Sequence, residues 1–182
     1  ATEILSQKEL KARLKVIKKF IHVAERLEKF GDFNCLLDVM SGLNCNPVYR
    51  LKKTWAAVPI ELMQIKQRLE GVINPKKSYA NLRQALRSVS PPCIPTINMY
   101  LTDIMFIEDG NPNFKNGLIN FSKRRLMADV MRNIQMYQLV PYRNFEEIAD
   151  LKKKLMNLTF LEMDKLMELS VAIEPKANAP SS

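Results

Sequence analysis

The stretch TINMYLTDIMFIEDG, residues 96–110, decides the fold: it sets Ile97, Tyr100, Leu101, Ile104 and Met105 at steps of three and four, the spacing that gathers side chains on one helix face. Glycine at position 110 supplies the conformation that a helix end needs. The loop NPNFKNG follows, and a second helix is expected from about Leu118 to Leu139, with Met127, Val130, Ile134 and Tyr137 as its stripe before Pro141. Two helices joined by so short a connection read as an αα-hairpin.

Working back towards the N-terminus, YANLRQALRSV reads as a helix stopped by Pro91 and Pro92. Pro59 and IELMQIKQRLEGVI give another. Pro47 is placed to open a helix carrying VYRLKKTW, because proline lacks an N–H that the first turn leaves unsatisfied anyway. CLLDVM forms a short helix that breaks near Gly42. A first helix over about residues 8 to 30 presents Leu14, Ile17, Ile21, Ala24 and Leu27, ends at Gly31, and hands over to Asp32 as the next cap. Towards the C-terminus, Asn144 with Glu147 and Thr159 with Glu162 have the spacing of capping boxes. The tail EPKANAPSS reads as a linker.

Composition agrees with helices. Among 182 residues only five are glycine, while 47% are hydrophobic, enough for a sizeable core. The formal charge of +9 arises from 28 Lys and Arg against 19 Asp and Glu, a balance that suits an acidic protein, an anionic membrane or nucleic acid. Acids such as Glu25, Glu28, Glu70 and Glu108 interleave with the basic residues, which disfavours a nucleic-acid stripe. Cys35, Cys45 and Cys93 have neither disulfide-framework nor zinc spacing, and a reducing compartment is expected. The sole histidine, His22, lies beside the first apolar stripe as a surface or boundary residue. Two-histidine metal sites are excluded from this chain alone, and no phosphate-binding glycine loop or nucleophile elbow occurs. No metal or cofactor is expected.

Six segments in order carry a resemblance: FGDFNCLLDVMSGLNCNPVYRLKKTW, SYANLRQALRSVSPPCIP, YLTDIMFIEDGNPNF, GLINFSKRR, IQMYQLVPY and LSVAIEPK. Together they make the chain similar, from about Leu14 to Lys176, to the Ras guanine-nucleotide exchange factor family, the Cdc25-homology domain. The resemblance implies an all-α, irregular helical domain with a protruding helical hairpin over residues 1–174, lacking the N-terminal part of the family domain, and a C-terminal tail at 175–182. An apolar face left uncovered near the N-terminal side is expected to accompany that truncation.

The function implied is release of GDP from a Ras-type GTPase, of the Ras or Rap class, by a hairpin that displaces a switch segment without covalent chemistry. The family's apolar wedge residue falls on Met105, its carboxylate on Asp109, and a contact beside the first switch on Asn111. Asn44, Tyr49, Tyr79 and Thr102 match residues that grip the second switch. Four positions depart from the common pattern: Thr96 replaces an aromatic, Asn98 a glycine, Met105 the usual leucine and Asp109 the usual glutamate. Read without the resemblance, Met105 is a core methionine and Asp109 a turn cap. Lys123, Arg124 and Arg125 decorate the long helix. Alternatives are a catalytically weak GTPase-binding scaffold and a basic helical nucleic-acid- or membrane-binding module. The expected location is the cytoplasm, with recruitment to the anionic inner face of the plasma membrane and no specific nucleic acid bound.

Overall fold

The computed structural model describes residues 1–143 and 145–175, arranged in two compact units. The first comprises Ala1–Arg26, Asp38–Glu70 and the described residues from 145 onward; the second comprises Leu27–Leu37 and Gly71–Arg143. The architecture is helical, as expected, with eleven helices among the described residues.

The first unit contains α1 (Thr2–Leu5), α4 (Asn46–Tyr49), α5 (Lys52–Ala56), α10 (Ala149–Met156) and α11 (Met163–Ile173), and most of α2 (Leu10–Lys29), α3 (Phe33–Asn44) and α6 (Ile60–Val72). Ile17, Ile21 and Ala24 are buried along α2 on the expected stripe. α11 packs against α1 and α4. Among residues 1–30 the large apolar side chains left exposed are Leu10 and Phe30, and Ala1, Ile4 and Phe20 line an open cavity of about 250 Å³ with Val39, Gly42 and Leu43. Ile4 and Leu5 of α1 are buried, and the exposed apolar residues are concentrated between Ile97 and Met163.

A buried polar network joins α2, α5 and the end of α11. Arg13 Nε donates to the Thr54 hydroxyl at 3.0 Å, and that hydroxyl donates to Glu174 Oε1 at 2.8 Å. The same carboxylate accepts from the amides of Lys53 at 3.0 Å and Thr54 at 2.9 Å, which lie in the first turn of α5 and have no intrahelical acceptor. Burial works against ionisation of Glu174, but the hydrogen bonds from Thr54 and Lys53 and the field of Arg13 outweigh it and hold the carboxyl below its ordinary value.

In the second unit, Gly31 ends the turn after α2 at φ +73°, where a side chain would also meet the Cys93 Cβ at 2.8 Å. Asp32 then caps α3 as expected, its Oδ1 accepting from the Cys35 amide at 2.9 Å. α7 (Lys76–Ser88) begins with Lys77, Ser78 and Tyr79 in the left-handed region and ends before Pro91 and Pro92. α8 (Ile97–Gly110) packs on α9 (Phe121–Gln138) as the expected hairpin.

Several boundaries differ from the sequence reading. α3 continues through Gly42 to Asn44, because Leu43 is buried one residue beyond it. The helix expected to open at Pro47 is two short helices, α4 and α5, separated at Leu51, whose φ −73° and ψ 70° are not helical. The long helix starts at Phe121 rather than Leu118, since Leu118 and Ile119 form β2 and pair with β1 (Phe114–Lys115) across Asn116 and Gly117, both at positive φ. Asn-Gly joining two short extended runs is the signature of a two-residue hairpin, a signal that the loop reading passed over. The box at Thr159 does not form: α11 starts at Met163 with Glu162 at its N-cap. Asn144 lies outside the described residues, as do residues 176–182 of the tail, while Glu147 ion-pairs with Lys152 at 2.9 Å and α10 starts after Ile148.

Candidate functional site

α8 carries apolar residues on more than one face, and this determines what it presents. Met99 and Tyr100 are buried, whereas Ile97, Leu101 and Met105 are 45%, 55% and 54% exposed. The single stripe inferred from sequence therefore divides: Tyr100 turns inward and the 97–101–105 line stays open, extended one turn on by exposed Asp109. Phe106 beside it is exposed as well. Thr102 is half-buried, its hydroxyl donating to the Asn98 carbonyl at 2.8 Å.

The other sides of α8 are fixed. Arg83 of α7 clasps the Asp103 carboxylate with hydrogen bonds of 2.7 and 2.9 Å. Its Nε donates to the Ser78 carbonyl at 2.7 Å, so one guanidinium ties the neighbour of Tyr79 to the neighbour of Thr102. Three successive non-glycine residues in the left-handed region cost roughly 1–2 kcal/mol each, and this clasp helps to hold them. Tyr79 is half-buried in that turn.

The last four carbonyls of a helix lack intrahelical donors. At the end of α8 two of them are satisfied by side chains: Asn111 Nδ2 donates to the Ile107 carbonyl at 3.0 Å, and Lys123 Nζ to the Glu108 carbonyl at 3.1 Å. Asn111 thus ends the helix in place of a left-handed Gly110, which explains its half-buried position. Asn120 caps α9, accepting from the Lys123 amide at 3.3 Å, and its Nδ2 donates to the Pro112 carbonyl at 2.9 Å.

Behind α8, a cavity of about 170 Å³ is lined by Arg83, Arg87, Tyr100 and Tyr137 among others, and none of the sequence-predicted site residues borders it. Burial and the hydrogen bond with Tyr137 push the Tyr100 phenol well up from its ordinary value.

Asn44 and Tyr49 belong to the first unit. Both are exposed. Asn44 Oδ1 accepts from Lys66 Nζ at 2.6 Å, and the same ammonium pairs with Glu70. The Lys52 ammonium lies 4.0 Å from the centroid of the Tyr49 ring. Met105, Asp109, Asn111 and Thr102 are thus brought together on and beside α8, with Tyr79 on the adjoining turn of the same unit.

Sequence reasoning missed Arg83, Asp103, Asn120 and Lys123 as the side chains that hold this geometry. For Lys123 a signal existed, because positions 123, 127, 130 and 134 share one face of α9, so the spacing already placed it on the apolar stripe. It is not surface decoration but the one buried residue of α9. His22 is exposed on α2, with Nδ1 3.8 Å from Glu25, as expected of a surface histidine. Among the described residues, no three His, Cys, Asp or Glu side chains form a metal-binding group, and no helix is long and apolar enough to cross a membrane.

The sequence model of the RasGEF domain matches residues 1–125. The chain is 37% identical over 181 residues to Ras-specific guanine nucleotide-releasing factor 2 of Danio rerio, covering 98% of this chain and 14% of that protein. It is 35% identical over 178 residues to Ras-specific guanine nucleotide-releasing factor 1 of Homo sapiens, covering 97% and 14%. With Ras guanine nucleotide exchange factor Y of Dictyostelium discoideum it shares 36% identity over 176 residues, covering 96% and 12%. The chain therefore spans about one-eighth to one-seventh of the length of these relatives. With a family model matched over more than half of its residues, and the hairpin that the resemblance implied present in its fold, the chain belongs to the RasGEF domain family.

Proposed function

We propose that this chain promotes release of guanine nucleotide from a Ras-type small GTPase of the Ras or Rap class. The observation that supports this best is the open line Leu101, Met105 and Asp109 on α8, a helix whose other sides are tied to α7 through Arg83 and to α9 through Lys123. An exposed apolar row on a braced helix is built to meet a partner.

The chemistry needed is non-covalent. Nucleotide is held by the GTPase's phosphate loop and Mg²⁺, and each tenfold gain in release requires about 1.4 kcal/mol of barrier reduction. In this reading, contacts with Asn44, Tyr49, Tyr79 and Thr102 anchor the second switch segment. The hairpin then displaces the first, beside Asn111. Met105 crowds the metal site with apolar bulk, and Asp109 brings negative charge towards the phosphate-binding surroundings. Contacts made only with the nucleotide-free state lower its energy, and linkage makes factor and nucleotide weaken each other's binding. Methionine keeps the apolar contact of leucine with more flexibility, and aspartate keeps the charge with shorter reach.

Residues 1–174 act here as one exchange-factor domain in the cytoplasm. The excess of basic residues draws it to the anionic inner face of the plasma membrane and quickens encounter with the GTPase. The test is release of a fluorescent GDP analogue from Ras, Rap and Ral proteins: acceleration for Ras or Rap supports the reading, and intrinsic rates throughout, with tight binding retained, favour a passive scaffold.

A further inference from the structure

We infer that Lys123 is a positioning residue for nucleotide exchange, a latch between α9 and the last turn of α8 that fixes where Met105 and Asp109 point. The inference rests on the exchange-factor reading above and gives a task in exchange to a residue that this reading uses only as a brace of α8.

Lys123 is only 1% exposed and is the sole buried residue among the eighteen of α9. Fully buried lysines are rare unless paired, because the ammonium loses its water. Here Nζ recovers hydrogen bonds from a single residue of the partner helix: the Glu108 carbonyl at 3.1 Å and Glu108 Oε1 at 2.8 Å. That carbonyl belongs to the end of α8 that carries partial negative charge, where a cation is favoured. Glu108 immediately precedes Asp109 and lies less than one turn beyond Met105.

An apolar side chain of similar volume would cover the same surface without desolvating a charge. It would not hold the Glu108 carbonyl. What the lysine adds is therefore direction, and the residues it directs are the two at the exposed end of α8. The base of the latch is itself fixed, since the Lys123 amide donates to Asn120 and Asn120 donates to the Pro112 carbonyl.

The experiment uses the full chain and a Ras-type GTPase loaded with a fluorescent GDP analogue. Lys123→Met should lower the maximal release rate by about tenfold or more, with half-saturating GTPase changed by less than about threefold. Lys123→Arg should restore part of the rate. Combined with Met105→Ala, Lys123→Met should cost less than the product of the two separate effects, because both act through the same contact. Amide hydrogen exchange over residues 105–111 should quicken in Lys123→Met while the second half of α9 is unchanged. A Lys123→Met variant that keeps its maximal rate within about twofold, or multiplies its effect independently with Met105→Ala, overturns the inference. Should Lys123→Met fail to fold, Lys123→Gln keeps a polar side chain but is one atom too short to hold the Glu108 carbonyl as Nζ does; an unchanged release rate in that variant also overturns it. A wild-type chain without exchange activity sinks the exchange-factor reading instead, and unaltered amide exchange at 105–111 in Lys123→Met then sinks the latch on its own.

Discussion

Nη2 of Arg83 donates to both carboxylate oxygens of Asp103, at 2.7 and 2.9 Å, while its Nε holds the Ser78 carbonyl in the turn before α7's regular part. Both side chains are about a quarter exposed, so the pair is less screened than a surface ion pair. Removing it leaves a half-buried carboxylate and a strained turn without their common partner. Arg83→Ala is therefore expected to lower stability by about 1–3 kcal/mol, measured by urea unfolding. Arg83→Lys should recover little, since one ammonium cannot span the Asp103 carboxylate and the Ser78 carbonyl as two guanidinium nitrogens do. Wild-type stability in Arg83→Ala would show that the clasp contributes nothing.

Tyr79 sits on the turn that this clasp maintains, and its role is separable. Tyr79→Ala is expected to weaken binding of the nucleotide-free GTPase by about tenfold or more, the loss typical of an aromatic anchor. Its melting temperature should change little, as the side chain is only half-buried. Titration calorimetry with nucleotide-free Ras checks this, and unaltered affinity would remove Tyr79 from the contact.

At the opposite end of the chain, the Glu174 carboxyl has a folded pKa below its ordinary value. A depressed carboxylate contributes stability that is present above the unfolded pKa, about 4.3, and is lost as pH falls through the lower folded value. Glu174→Gln should thus melt well below the wild type at pH 7. The gap should close as the pH falls from the unfolded value through the lower folded one, where the wild-type carboxylate takes up its proton as well. Thermal melts across that range decide it; a gap that does not change with pH would mean that shape, not charge, matters at this position.

Thr96 is fully buried at the N-cap of α8, yet its hydroxyl makes no cap bond and has no hydrogen-bond partner. A buried unsatisfied hydroxyl costs about 1–3 kcal/mol, so Thr96→Val should stabilise the fold by a similar amount. Loss of stability in that variant would indicate a partner that the present geometry does not contain.

The legibility of the fold followed the physics of each signal. Apolar spacing identified α2, α8 and α9, because a periodic stripe gives a helix a face with which to pack. Asp32 was legible as a cap and Gly31 as a terminator because local backbone chemistry alone decides both. Gly42 misled, since tertiary burial of Leu43 overrode a local breaker. Glu174 was illegible as a buried charge, and Lys123 legible only as a position on the apolar stripe of α9: their partners lie 120 and 15 residues away, and composition records charge without recording what it faces. The division of the α8 stripe into a buried and an open row was hidden for the same reason. A periodic pattern names a face, but packing decides whether it is covered.

The account stands most directly on Met105 and Asp109. Both side chains are exposed, so replacing them should leave the melting temperature close to that of the wild type, without the roughly 2–5 kcal/mol loss seen when a buried methionine is truncated. The measurement is the rate of release of a fluorescent GDP analogue from Ras at saturating concentrations of the full chain. Met105→Ala and Asp109→Ala are each expected to slow release by about tenfold or more while the fold survives, as loss of an interaction made only along the release pathway requires. Release at the wild-type rate in both variants would contradict the hairpin mechanism.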